Sequence, residues 1–260
     1  MYVVAVSSQK GGSGKTTLAG HLAVEADLKG FGPVALVDTD PQGSLAEWWN
    51  ARVAETPLFA RTSADRLAED IGRLKALGVN LLVIDTPPAI AATITEVVRI
   101  ADIVVVPARP SPHDLRAAGA TVELIERYQK PLVFVINGAA PRARITSEAV
   151  MALSQHGTLA PTIIHNRTAF AASMIDGRTV MEIPGEARAA SEIGMLWEYL
   201  SRRLKGEYRT LLNGDQPRAE PAPGAEAPPV AEQPAPVPEA KPAGDQSNPD
   251  FPSPIAAGLP

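Results

Sequence analysis

The chain has 260 residues, 45% of them hydrophobic, which suits one globular domain with an appendage rather than two large domains. It contains no cysteine, which excludes disulfides, thiolate zinc sites, iron–sulfur clusters and a cysteine nucleophile. The formal charge of -5 is uneven: residues 205–260 hold four Lys/Arg and eight Asp/Glu, leaving 20 against 21 for residues 1–204, so any nucleic-acid contact must rest on a local patch of a nearly neutral body.

Met1 leads straight into the apolar run Tyr2-Val3-Val4-Ala5-Val6, without the basic stretch and cleavage site of a secretion signal. No later apolar run approaches the roughly 20 residues that span a bilayer, so the reading is a cytoplasmic protein. From the start to about residue 204, short apolar runs alternate with longer stretches of helical period, the mark of a parallel sheet covered by helices. Strands are expected over 3–7, 34–38, 81–85, 103–107, 132–137 and 162–165, apolar throughout because both faces are buried. Helices are expected over 15–29, 43–54, 64–77, 90–101, 113–129, 145–155, 168–176 and 186–204. In the last, Ala189, Ile193, Leu196, Leu200 and Leu204 recur at three- and four-residue steps and should pack on the sheet. After Tyr208 the composition changes: thirteen of the 46 residues from Asp215 to Pro260 are proline. Such a segment buries too little apolar surface to offset its ordering entropy. The expected division is therefore a globular α/β domain over 1–208 and a disordered Pro/Ala-rich tail over 209–260, serving either as a solvated appendage or as a tether.

The segment Gln9-Lys10-Gly11-Gly12-Ser13-Gly14-Lys15-Thr16-Thr17 lies between the first expected strand and the first expected helix, the context a phosphate-binding loop requires. Gly11, Gly12 and Gly14 let the backbone turn its N–H groups toward phosphate oxygens, and the helix adds the positive end of its dipole. Lys15 supplies a charge to the β- and γ-phosphates and the Thr16 hydroxyl is placed for Mg²⁺. Gly11, Gly12, Ser13, Gly14, Lys15, Thr16 and Thr17 thus form the expected nucleotide-binding set. A second motif, Asp38-Thr39-Asp40-Pro41-Gln42-Gly43-Ser44, puts two carboxylates at the end of the second expected strand, where ligands bind in such sheets. A third, Leu82-Val83-Ile84-Asp85-Thr86-Pro87-Pro88, is an apolar strand ending in an aspartate able to hold Mg²⁺, generally through water.

Gln9 stands where a standard phosphate loop has its first glycine, and Lys10 is added ahead of the glycines. In this form, KGGxGKT, the loop resembles the deviant Walker A motif of the ParA/MinD family of P-loop ATPases, and most resembles short ParA (ParF-like) proteins. The resemblance covers roughly residues 1–204. It implies a three-layer P-loop NTPase fold, α/β, with a mostly parallel twisted sheet and helices on both faces. It also implies slow hydrolysis of ATP with Mg²⁺ as cofactor. In the family the extra lysine reaches across an ATP-bound dimer, which implies a homodimer joined through Lys10. DTDPQ resembles the switch I motif, whose second aspartate positions the attacking water, so Asp40 is the expected catalytic residue beside Lys10 and Lys15. The expected metal-site residues are Thr16, Asp38 and Asp85. Pro107-Ala108-Arg109-Pro110-Ser111-Pro112-His113-Asp114 is similar to the proline-containing loop of the ParF-like proteins, near nucleotide and dimer contact; read from the residues alone it is a rigid turn with Ser111 or Asp114 near a helix start. Asn137 ends a strand where relatives use an amide to read adenine. NKxD, the GTP-selecting pattern, is missing, because Asn137 is followed by Gly138-Ala139-Ala140.

With the first strand starting at Tyr2, no helix-turn-helix region is expected ahead of the loop. The resemblance implies non-specific binding of double-stranded DNA on the nucleoid through basic side chains, for which Arg142, Arg144, Arg167, Arg178, Arg202, Arg203 and Lys205 are candidates. It also implies stimulation by a ParB-like or cargo-adaptor partner, in partition of a plasmid or chromosome or in positioning of other cargo. Two alternatives are a MinD-like membrane-surface regulator, which would need a basic amphipathic terminus where this chain is acidic, and a metabolic ATP-dependent ligase of the same fold, against which Lys10 and DTDPQ argue.

Overall fold

The computed structural model describes residues 1–63, 65–88 and 91–207; the expected tail over 209–260 lies outside the described residues. In chain order the elements are β1 Tyr2–Val6, α1 Lys15–Leu28, β2 Val34–Asp38, α2 Ser44–Asn50, β3 Leu58–Phe59, α3 Leu67–Ala76, β4 Leu81–Asp85, α4 Ala91–Ile100, β5 Ile103–Ala108, α5 Pro112–Arg127, β6 Leu132–Ala139, α6 Arg144–Ser154, β7 Thr158–Leu159, β8 Ile164–His165, α7 Thr168–Met174 and α8 Ala187–Leu204, with a 3-10 turn at Val180–Glu182 before α8. The strands run β3-β2-β4-β1-β5-β6-β7, with β8 also paired to β6, and every pairing is parallel.

Alternate residues of each strand point to opposite faces, and the chain fills both. On one face Val4, Val6, Leu36, Val83, Val105, Val133 and Val135 pack under α1, α2, α7 and α8. On the other, Val3, Ala5, Val37, Leu82, Ile84, Val104, Phe134 and Ile136 pack under α3, α4, α5 and α6. This is the three-layer fold the sequence implied. Helix α1 is buried on nearly all sides, so the phosphate loop ahead of it is anchored in the core. The stripe Ala189, Ile193, Leu196, Leu200 and Leu204 of α8 packs into the first of these clusters.

The differences from expectation lie at the edges. β1 is shifted one residue toward the N-terminus, and Ser7, expected as its last residue, opens the phosphate loop, its N–H bonded to the Val105 carbonyl. Helix α2 is shorter than expected, ending at Asn50. β6 extends two residues further, through Gly138 and Ala139, because β8 pairs with Asn137 and Ala139 across an irregularity. That pairing reduces the strand expected over 162–165 to Ile164–His165. The two-residue edge strands β3 and β7 are additional to the expected set.

Candidate functional site

The carboxyl edge of a parallel sheet is where ligands bind, and the motifs converge there. β4 lies between β2 and β1, with Asp85 in register with Asp38 on one side and Val6 on the other. The Thr16 hydroxyl, in the first turn of α1, donates to Asp85 Oδ2 at 2.6 Å. Asp85 Oδ1 is buried without a hydrogen-bond partner. Burial pushes the Asp85 carboxyl up to about 7, although the Thr16 hydroxyl bond opposes the shift. An orphaned carboxylate oxygen beside a threonine hydroxyl fits Mg²⁺, which uses one or two protein groups, waters and substrate phosphates rather than a protein cage. No group of three His, Cys, Asp or Glu able to cage a metal occurs among the described residues.

A cavity of about 630 Å³ opens over the loop, lined by Gly11, Gly12, Gly14, Lys15, Thr16 and Thr17 and by Asp40 opposite. Lys15 is nearly buried, its Nζ donating to the Lys10 carbonyl at 3.1 Å. Burial lowers its pKa while the Asp85 and Asp40 charges oppose the shift. Gly14 has φ 94, a left-handed conformation that favours glycine, and a Cβ there would lie 2.2 Å from Asn137 Nδ2. Lys10 turns elsewhere: its Nζ sits 3.1 Å from Asp114 Oδ2. Asp114 is itself fixed at the start of α5, where Ser111 caps the helix by accepting from the Asp114 N–H at 3.2 Å and donates its hydroxyl to Asp114 Oδ2. Burial would raise the Asp114 pKa, but the hydrogen bonds from Ser111 and Lys10 and the Lys10 charge hold it below the usual carboxylate range.

Two expected residues also hold backbone. Asp38, expected to support the metal, commits both oxygens to the backbone: Oδ1 accepts from the Asp40 N–H at 2.9 Å, and Oδ2 accepts from the Leu45 and Ala46 N–H groups at 3.0 and 3.1 Å. It shapes the loop bearing Asp40 and caps α2, so it acts on the site through that loop. Asn137, expected to read adenine, donates its amide to the Ser13 carbonyl at 2.6 Å. That bond makes it a strut under the phosphate loop, while its second N–H and its oxygen remain for other partners, and the side chain lines a second cavity beside the loop.

Beside the first cavity lies a smaller one of about 160 Å³, lined among others by Leu18, Asn137, Ile164, His165, Asn166 and Phe170. Its far wall is held by Glu192 of α8, a buried residue the sequence gave no reason to single out. Glu192 accepts from the His165 N–H and from His165 Nδ1 at 3.1 and 2.8 Å, and from Arg167 Nε and Nη2 at 3.2 and 2.6 Å. Asp114 was legible only as a helix-start residue; its partner Lys10 is 104 positions away.

Of the basic candidates, Arg144, Arg167, Arg178 and Arg202 are each paired with a carboxylate of this chain. Arg203 donates to the Tyr199 hydroxyl and Lys205 lies over the Phe31 ring. No helix among the described residues is long and apolar enough to cross a membrane.

A glycine-rich loop between a central parallel strand and a buried helix, with a hydroxyl and an aspartate poised for Mg²⁺, defines a P-loop nucleotide hydrolase. Residues 4–180 match the CobQ/CobB/MinD/ParA nucleotide binding domain, and the chain belongs to that family. It is 30% identical over 202 residues to maintenance of carboxysome distribution protein A of Halothiobacillus neapolitanus, covering 74% of this chain and 92% of that protein. It is 29% identical over 185 residues to the protein ParA of Rhizobium radiobacter, covering 66% and 82%. Its fold matches that of the septum site-determining protein MinD of Pyrococcus horikoshii complexed with Mg-ADP, with a TM-score of 0.63 at 17% identity over 78% of this chain and 96% of that one. The chain is thus an ATPase of the ParA/MinD type.

Proposed function

We propose that this ATPase positions a large cargo along the nucleoid: ATP joins two copies into a dimer that binds double-stranded DNA without sequence preference, and a cargo-bound adaptor triggers hydrolysis and release. The cargo is either a protein compartment of the carboxysome kind or a plasmid or chromosome, and the adaptor is the corresponding cargo protein, ParB-like where the cargo is DNA. Lys15 holds the β- and γ-phosphates, Thr16 and Asp85 hold Mg²⁺, and Asp40 orients the attacking water, so catalysis is positioning and charge stabilisation.

The observation that carries this reading is Lys10. It belongs to the phosphate loop, yet its ammonium rests on Asp114 and it does not line its own phosphate cavity. A half-exposed lysine turned away from its own nucleotide is available to the nucleotide of a second subunit. The similarity to a carboxysome distribution protein over 92% of that protein's length supports a positioning role.

The test measures binding of the full chain to unrelated duplex DNA with ATP, with ADP and without nucleotide, at two salt concentrations. Salt-sensitive binding that requires ATP, disappears in Lys10→Ala and persists in Asp40→Ala is the expected pattern. Absence of DNA binding in every nucleotide state refutes the nucleoid role while leaving the ATP site intact.

A further inference from the structure

The two cavities at the carboxyl edge share three lining residues, Gly14, Thr17 and Arg109. Gly14 and Thr17 belong to the phosphate loop and the first turn of α1. Arg109 arrives from the other side, directly after β5. Its side chain runs along Gly138 in β6: a Cβ on Gly138 would lie 3.7 Å from Arg109 Nε and 3.8 Å from its Cγ. The exposed Arg109 side chain has no ion-pair or hydrogen-bond partner among the described residues, unlike Arg52, Arg144, Arg167 and Arg178, which have carboxylates.

We propose that Arg109 is a nucleotide-binding residue, which clamps the α- and β-phosphates from the side opposite the phosphate loop. The inference rests on the ATP site described above and adds to it. A nucleotide with its phosphates over Gly11–Thr17 and its base in the smaller cavity must pass its ribose and inner phosphates across the junction where Arg109 lies. A guanidinium there is a planar fork for two oxygens, more weakly hydrated than an ammonium and always charged. Lys15 lies deep in the first cavity, which leaves the inner phosphates without a cationic side chain on the outer side.

The backbone around Arg109 is firm enough for this task. The Ser111 N–H donates to the Arg109 carbonyl at 2.7 Å, and Ser111 caps α5. One short segment therefore carries a free cation toward the nucleotide at one end and the carboxylate that holds Lys10 at the other.

The experiment is calorimetric titration of the full chain, with Mg²⁺, by ADP, ATP and adenosine, for the unaltered chain, Arg109→Ala, Arg109→Lys and Lys15→Ala. Arg109→Ala should weaken ADP and ATP alike by roughly ten- to hundredfold, the range for losing a charged hydrogen-bond partner, with Arg109→Lys between the two and adenosine unaffected. The melting temperature should not change, because the side chain is exposed. If Lys15→Ala loses nucleotide while Arg109→Ala keeps full affinity, the proposal fails and the phosphate site stands. A loss confined to ATP, or an equal loss for adenosine, also overturns it, since either places the guanidinium on the γ-phosphate or on the base. If the unaltered chain binds no nucleotide, both the proposal and the reading beneath it fall.

Discussion

His21 makes a pH-dependent prediction about the helix that follows the phosphate loop. It is fully buried on α1. Its Nε2 accepts from the Val180 N–H at 3.2 Å and its Nδ1 lies 2.7 Å from the Thr17 carbonyl. An N–H can only donate, so Nε2 is bare and Nδ1 carries the proton, which it donates to Thr17. Burial lowers its pKa from the ordinary 6.5 to about 4, with the Thr17 carbonyl and Glu182 opposing and Arg52 assisting. In the unfolded chain the imidazole takes up a proton below 6.5; in the folded chain it does so only below about 4. Between those values the unfolded state binds more protons, so stability falls as pH falls. The loss begins near the upper value and is complete below the lower one. These two pKa values give a loss of about 2 kcal/mol near pH 5 and about 3 kcal/mol at full titration.

The perturbation is His21→Gln, which keeps a polar side chain and cannot titrate. Urea unfolding of both chains from about pH 7.5 to about pH 5 isolates the residue, because every other group contributes to both. At the upper pH the variant should be less stable by about 1–3 kcal/mol, the cost of leaving the Val180 N–H imperfectly satisfied. The gap should shrink by about 2 kcal/mol toward the lower pH. A gap that stays constant with pH refutes the reasoning, since it would mean that His21 titrates alike in the folded and unfolded chains.

Three further substitutions test the site and its supports. Asn137→Ala should weaken binding of ATP, ADP and GTP by a similar factor, because it removes a strut from Ser13; a changed preference between ATP and GTP in competition titrations would show that the amide reads the base after all. Gly177→Ala should cost more than about 3 kcal/mol, since φ is 76 there and a Cβ would lie 2.3 Å from the Arg52 backbone nitrogen; urea stability within about 1 kcal/mol of the unaltered chain, the range of an ordinary surface change, contradicts this. Glu182→Ala leaves the nearly buried Arg52 guanidinium without its carboxylate at 2.6 Å. It should cost about 3 kcal/mol, the lower end for a broken buried pair, because Arg52 keeps the Gly177 and Thr56 carbonyls; an unchanged urea midpoint sinks that estimate.

What the sequence made legible follows from how local each feature is. β1, β2, β4 and β5 are buried on both faces, so they read as unbroken apolar runs. The phosphate loop is contiguous, so residues 11–17 could be assigned together. Edge strands β3 and β7 have two residues each, too few to leave a periodicity. The backbone bonds of Asn137 and Asp38 were not legible. A polar side chain at the ligand edge can be read from the sequence, but what it meets there cannot: for Asn137 it is the Ser13 carbonyl, 124 positions away, and for Asp38 it is the Leu45 and Ala46 N–H groups, which the turn of the following loop brings round. Glu192 was silent for the same reason, since its helix shows only an apolar stripe and a polar remainder.

The same geometry bears on whether Lys10 can leave its resting place. Asp114 is largely buried, and removing the only partner of a buried carboxylate would be costly. Lys10 is not the only partner: the Ser111 hydroxyl remains on Asp114 when the lysine departs. The lysine side chain is 35% exposed, so its attraction to Asp114 is weakened by solvent and belongs with surface pairs worth about 1 kcal/mol or less. In the proposed dimer the triphosphate of the facing subunit would offer several negative charges between the two chains, where each would be screened less. Under that proposal the difference favours transfer of Lys10 to the partner's nucleotide when ATP is present, and its return to Asp114 when the γ-phosphate has gone.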